Sequence, residues 1–180
     1  MKIDELFQHA SQSWSDIHEH LPRMRQIGES CQHITEFGVR NGVSTIAWIA
    51  ARPQRLICYD IHRYAEVEEL ERVAEEAGVD FTFRVKDVLS LSIEATDLLF
   101  IDTLHTYDQL RMELARHAGH VRKYLVLHDT EAFGAAGEVP GTRGLWQAIE
   151  EFLAANDSWR LFEKHTNNNG LTVLARRSVT

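Results

Sequence analysis

The sequence predicts a three-layer, doubly wound α/β fold with a mostly parallel sheet of seven strands, and three observations carry that expectation. Short apolar runs alternate with helical patterns along most of the chain; a pair of glycines follows the first such run; and two strand-like runs flank "NNNG" near residue 170.

Ile3, Leu6, Phe7, Ala10, Trp14 and Ile17 recur at helical spacing, and Pro22 suits the first turn of a second short helix reaching about Ser30. Residues 1–30 therefore read as a helical preface. Next come "HITEFG" as strand, "STIAWIAA" as helix, "RLICYDI" as strand and "AEVEELERVAEEAG" as a helix with Gly78 after its last turn. "DFTFRVKD" then reads as strand, "DLLFID" as strand after a short connector, "YDQLRMELARHAG" as helix and "KYLVLHD" as strand. Consecutive apolar strands joined by amphipathic helices imply a parallel sheet covered on both faces. After the helix "LWQAIEEFLAAND", the runs "WRLFEKHT" and "LTVLARR" form an antiparallel hairpin, because Asn and Gly tolerate the left-handed backbone of a tight turn. Trp146 and Phe152 belong to the core face of their helix on this reading.

A chain of 180 residues accommodates one domain with a substantial core, so residues 1–180 are expected to fold as one. With 44% hydrophobic and 26% charged residues, nothing in the composition points to disorder. A formal charge of -8, with basic residues scattered, argues against a nucleic-acid partner. Cys31 and Cys58 show no zinc or disulfide spacing, which fits a reducing cytoplasm. "MKIDELFQHA" turns polar too soon for a signal-peptide core, and no run of about 18 apolar residues exists, so neither secretion nor membrane insertion is expected. Nothing in the sequence fixes the oligomer, and a homodimer is compatible with it.

The segment "ITEFGVRNGVST", residues 34–45, places Gly38 and Gly42 after a strand and Ser44 at a helix start. Glycine lets the backbone turn sharply and a ligand approach closely, while a helix N-terminus offers free N–H donors. The GxxxG spacing lacks the middle glycine of the dinucleotide fingerprint and has no Walker lysine, so a nucleoside with a small polar tail fits better than a pyrophosphate. Acids follow at successive strand ends: Glu36 near the first, then Asp60, Asp87 and Asp102. That carboxyl edge is where open α/β sheets bind ligands, and Asp60, about 20 residues past the glycines, is placed to accept hydrogen bonds from ribose hydroxyls. Any one such acid could also be there because strand ends are wet and Asp favours turns.

"EFGVRNGVST", "YDI", "VKD" and "FIDTLHTY", in that order and with the terminal hairpin, resemble the class I S-adenosylmethionine-dependent methyltransferases, which share a Rossmann-like fold. "FIDTLHTY" followed by "LVLHDT" is similar to the small-molecule and sugar O-methyltransferases and to the cephalosporin-hydroxylase-like group. The resemblance implies a cofactor, S-adenosylmethionine, with Gly38 and Gly42 bordering its methionine part and Glu36 and Ser44 lining it. It implies Asp60 on the ribose, Asp87 and Val88 on the adenine, and Asp102 facing the methionine end and the acceptor, a small molecule or sugar.

The run "DLLFID" stops on Asp102 and "KYLVLHD" stops on Asp129; adjacent strands lie about 4.8 Å apart, so the two acids can converge. Facing carboxylates repel unless a proton or cation lies between them. Metal-dependent relatives carry ligands at the positions of Asp102, His128 and Asp129, and the imidazole favours manganese, iron or zinc over magnesium. Without a metal, His128 or His105 becomes the candidate general base. Tyr107, which opens the helix after strand four, serves packing equally well, and His117 and His120 read as solvated histidines at a helix end, without chemistry. Residues 131–144, with four glycines and no periodicity, read as a mobile cover over the acceptor site. The rival readings are a nucleotide-cofactor oxidoreductase on the same fold and a non-catalytic cofactor-binding protein.

Overall fold

The computed structural model describes residues 2–178. Seven strands follow the order β3-β2-β1-β4-β5-β7-β6, mostly parallel, with an antiparallel hairpin at the end and helices on both sides, as the sequence predicts. The chain clusters into two compact units, Met1–Val88 and Leu89–Thr180.

In the first unit, α1 (Ile3–Gln12) buries Ile3 and Ala10. Trp14, expected on the same stripe, is 88% exposed. Ser13 turns extended and its N–H closes the last turn on the His9 carbonyl, so the helical phase is lost before Trp14. Pro22 lies in the first turn of α2 (Leu21–Gly28) as expected. That helix stops short of Ser30, whose amide and hydroxyl both bond back to the Ile27 carbonyl. The parallel strands β1 (His33–Phe37), β2 (Arg55–Asp60) and β3 (Asp80–Val85) pair β1 with β2 and β2 with β3. Between them run α3 (Val43–Ala50), buried on nearly every side, and α4 (Glu66–Ala77). Val67, Leu70, Val73 and Ala74 form the buried face of α4, and Gly78 ends it at φ 75°, the left-handed cap that glycine adopts without a Cβ clash.

In the second unit, β4 (Thr96–Ile101) and β5 (Val121–His128) are parallel neighbours. All six residues of β4 are buried; each Leu or Phe side chain so buried contributes about 1.5–3 kcal/mol. Asp97, the one charge in that run, is paired with Arg122 Nε at 2.8 Å. Helix α5 (Tyr107–His117) begins at Thr106, whose hydroxyl accepts the Gln109 amide, and α6 is Leu145–Ala155. β6 (Trp159–His165) and β7 (Leu171–Arg176) form the antiparallel hairpin, with Asn168, Asn169 and Gly170 all left-handed in its turn. The core face of α6 is Leu145, Ala148 and Ile149. Trp146 and Phe152 are only half-buried: Lys164 lies 4.0 Å above the Trp146 ring, and Phe152 packs beside Trp159. No helix among the described residues is long and apolar enough to cross a membrane.

Candidate functional site

In parallel α/β units the carboxyl ends of the strands are where ligand groups collect. Each unit carries one cluster there.

In the first unit the chain leaves β1 through a turn with Gly38 at φ 82°, Arg40 at 46° and Gly42 at 76°. Gly42 is needed twice over, because a Cβ there would also sit 2.5 Å from Leu70 Cδ1. Asp60, at the end of β2, holds this turn: Oδ2 accepts from the amides of Val39 at 2.8 Å and Arg40 at 3.0 Å, and Oδ1 accepts from His62 N. Three of the roughly four lone-pair directions of that carboxylate are used by backbone, so Asp60 shapes the loop and has one direction left for a ribose hydroxyl. Asp60→Ala is expected to lower stability by about 1 kcal/mol, since water can replace part of these bonds, and to speed amide exchange at Val39 and Arg40. Unchanged exchange at both amides would remove Asp60 from the loop.

Glu36 and Ser44, expected to line a cofactor, face inward. Glu36 is fully buried and accepts from Ser44 Oγ at 2.6 Å, Thr45 Oγ1 at 2.7 Å and Cys58 Sγ at 3.1 Å. A buried carboxylate requires such donors, and here they fasten the start of α3 to β1 and β2. Burial first, and then the neighbouring Glu36 charge, push the Cys58 thiol well up, so it serves as a neutral donor. Asp87 is exposed two residues beyond β3, and Val88 is buried at the start of a short 3-10 turn.

The second cluster is tighter. Asp102 immediately follows β4, His128 ends β5, and Asp129 follows it with a left-handed backbone at φ 58°. The two acids converge as the sequence predicts, but they do so on His105. Its Nε2 lies 3.0 Å from Asp102 Oδ1 and 3.0 Å from Asp129 Oδ2, and its Nδ1 lies 3.0 Å from Glu138 Oε2. His128 Nδ1 approaches Asp102 Oδ2 and Asp129 Oδ2 at 3.5 Å each.

These contacts set the charges. Burial alone would lower the His105 pKa, but the hydrogen bond and charge of Asp102, with Asp129 and Glu138, raise it from 6.5 to about 9. Burial works against ionisation of Asp102 too, yet the bonds from His105 and His128 hold its carboxyl far below the usual range. Asp129 goes the other way, pushed up by burial in spite of the two imidazoles. These partners favour the protonated form of His105. A ring that holds both protons has no lone pair to offer, so this arrangement favours His105 as a donor over a general base.

One ligand atom from each of Asp102, His128 and Asp129 can be chosen so that all three lie within 4.8 Å of one another, and Asp129 Oδ1 is buried without a hydrogen-bond partner. Oxygen and imidazole donors so grouped fit a divalent cation.

Tyr107 is structural, since its hydroxyl donates to Glu151 at 2.6 Å and the Arg143 guanidinium stacks 3.5 Å above its ring. His117, expected to be solvated, is fully buried on the inner face of α5, whereas His120 meets Ser92 Oγ near the surface. Sequence reading missed Glu113, Phe133 and Glu138. Glu113 is fully buried on α5, where Thr103 Oγ1 and Gln109 Nε2 donate to it, and it lines a small cavity with His105 and His128. An acid in helical phase with Leu110 and Leu114 was the available signal.

No family model and no curated protein matches the chain. Solved structures do match. The N-methyltransferase NodS from Bradyrhizobium japonicum WM9, in complex with S-adenosyl-L-homocysteine, is 15% identical over 99% of this chain and 100% of its own, with TM-score 0.66. An O-methyltransferase from Bacillus cereus, in complex with the same compound, is 14% identical over 97% and 90%, with TM-score 0.65. The O-methyltransferase TomG from Streptomyces achromogenes, involved in tomaymycin synthesis and solved with S-adenosylmethionine, is 18% identical over 94% and 88%, with TM-score 0.63. At these identities the likeness shows the fold.

Proposed function

We propose that the protein is an S-adenosylmethionine-dependent methyltransferase acting on an oxygen of a small molecule or sugar. The observation that carries the proposal is the pair of carboxylates joined through His105 at the ends of β4 and β5, in a chain whose fold neighbours hold S-adenosylmethionine or S-adenosylhomocysteine. On this reading the left-handed turn after β1, with Asp60 behind it, receives the nucleoside. The cofactor supplies an electrophilic methyl group on sulfur, so the chain's own work is to orient the acceptor and manage its proton.

Asp102 is the more open of the two strand-end acids, its side chain 25% exposed against 7% for Asp129. It accepts the hydrogen bond of the acceptor hydroxyl and fixes its direction. The His105 imidazolium beside it stabilises the negative charge that grows on the oxygen as its proton leaves. Asp102, His128 and Asp129 are the residues that would hold a divalent cation, whose Lewis acidity would lower the hydroxyl pKa further. The oxygen acceptor is favoured over nitrogen because a site with a fixed cation and a hydrogen-bond acceptor side by side assists ionisation of an O–H.

Calorimetry with S-adenosylmethionine, S-adenosylhomocysteine and NAD tests the cofactor class. Binding of the first two and not of NAD is expected. Binding of NAD alone would make the protein an oxidoreductase, and transfer of labelled methyl only to amines would move the acceptor from oxygen to nitrogen.

A further inference from the structure

Residues 131–144 do not hang free. Ala136 and Arg143 form an antiparallel bridge, and Gly137 N–H donates to the Thr142 carbonyl. The segment is also bound to the start of α5: Glu138 N–H donates to the His105 carbonyl at 2.9 Å, and Tyr107 N–H donates to the Arg143 carbonyl at 2.9 Å. The Glu138 carboxylate completes the link, accepting from His105 N at 3.3 Å and meeting Nδ1 at 3.0 Å. At the other end of the segment, the Phe133 ring lies parallel to the His105 ring, 9° apart in plane and 5.0 Å between centroids.

We infer that residues 133–143 form a strap that positions His105, with Glu138 and Phe133 as its positioning residues. An imidazole can rotate about two side-chain bonds, and two acids at Nε2 fix one point of the ring only. Glu138 fixes the opposite nitrogen and Phe133 fixes the plane, so all the rotational freedom of the ring is removed. The alignment depends on how closely the strap approaches. At Gly137 a Cβ would stand 2.8 Å from the Arg143 carbonyl oxygen within the strap and 3.1 Å from the His105 carbonyl oxygen, so the missing Cβ lets the backbones close in here. The strap therefore fixes the His105 ring before substrate arrives. Its importance for turnover rests on the methyltransferase proposal, whereas its hold on His105 does not.

The test uses Glu138→Gln, Glu138→Ala and Phe133→Leu in the full chain. Long-range proton–nitrogen NMR of the imidazoles reports the His105 ring directly, whatever the reaction. In the wild type the Nδ1 proton is expected to be shielded from solvent; in Glu138→Ala it should exchange about tenfold faster or more, with Glu138→Gln between the two. Phe133→Leu should broaden the ring signals while leaving the carboxylate contact in place. Where methyl transfer is measurable, kcat should fall about tenfold in Glu138→Ala, with the dissociation constant of S-adenosylhomocysteine unchanged, because a misaligned group affects the transition state more than binding. His105 signals in Glu138→Ala and Phe133→Leu identical to those of the wild type would overturn the strap. So would a loss of turnover unaccompanied by any change at His105. A protein that transfers no methyl group but shows the His105 changes refutes the proposed reaction and upholds the strap.

Discussion

Asp102→Asn and Asp129→Asn are each expected to weaken Mn2+ binding by about a hundredfold or more and to lower methyl transfer by a similar factor, with the double variant little worse than either single one. The reason is that the two carboxylates are one electrostatic unit. His105 Nε2 is 3.0 Å from both, and His128 Nδ1 is 3.5 Å from both. Removing either charge unbalances the imidazolium and takes one oxygen ligand from the trio of Asp102, His128 and Asp129. The second removal then acts on a unit already broken, which is why additivity fails. Metal content, Mn2+ titration followed by electron paramagnetic resonance, and turnover after chelation and dialysis are the measurements. Two additive losses would dissolve the unit. Full turnover in chelated protein, without stimulation by Mn2+ or Mg2+, would remove the cation from the reaction and leave the acid pair to the imidazoles of His105 and His128.

The elements of the fold were legible because their signals are local and repeated. Apolar runs such as Leu98–Ile101 and Leu125–Leu127 can be little other than buried strand, and Gly78 and the Asn-Gly turn before β7 mark their boundaries by backbone chemistry alone. The meeting of Asp102 and Asp129 could be read as well, since strands β4 and β5 are parallel neighbours and both acids follow the last paired residues. What escaped was the direction in which side chains point. Glu36 lies next to the end of β1 and looks like a ligand acid, but three donors from Ser44, Thr45 and Cys58 hold it in the core. Asp60 looks like a ribose acceptor, yet it spends most of its capacity on its own loop. Glu138 lies 33 residues from His105 in a segment without periodicity, and no sequence pattern announces such a contact. The convergence of Asp102 and Asp129 on His105 Nε2, with Glu138 adding a smaller share, favours a protonated ring where the sequence suggested a base.

A His105 proton held by these acids makes stability depend on pH. In chelated wild-type protein, unfolding free energy should fall by on the order of 3 kcal/mol as pH rises from about 6 to about 9.5, with most of the loss between 6.5 and 9. His105 titrates near 6.5 when unfolded and near 9 when folded. A group whose pKa is raised by folding contributes its full stabilisation below the unfolded value, and that contribution disappears as pH passes the folded one. The charges responsible face the ring from three elements: Asp102 after β4, Asp129 after β5 and Glu138 on the strap. Glu138 is 46% exposed, so solvent screens its share, and most of the effect comes from the two more deeply set acids. On the acid side the signs divide. Asp102, depressed by folding, contributes stability that is lost as pH falls below its unfolded value, whereas Asp129, raised by folding, offsets part of that loss. Urea unfolding at several pH values, with His105→Gln as the reference, isolates the alkaline limb. A wild-type curve parallel to that of His105→Gln from pH 6 to pH 9 would show that the imidazole is not held as a cation between the acids. Saturating Mn2+ should flatten the wild-type limb, because a cation on Asp102 and Asp129 neutralises the charges that hold the His105 proton.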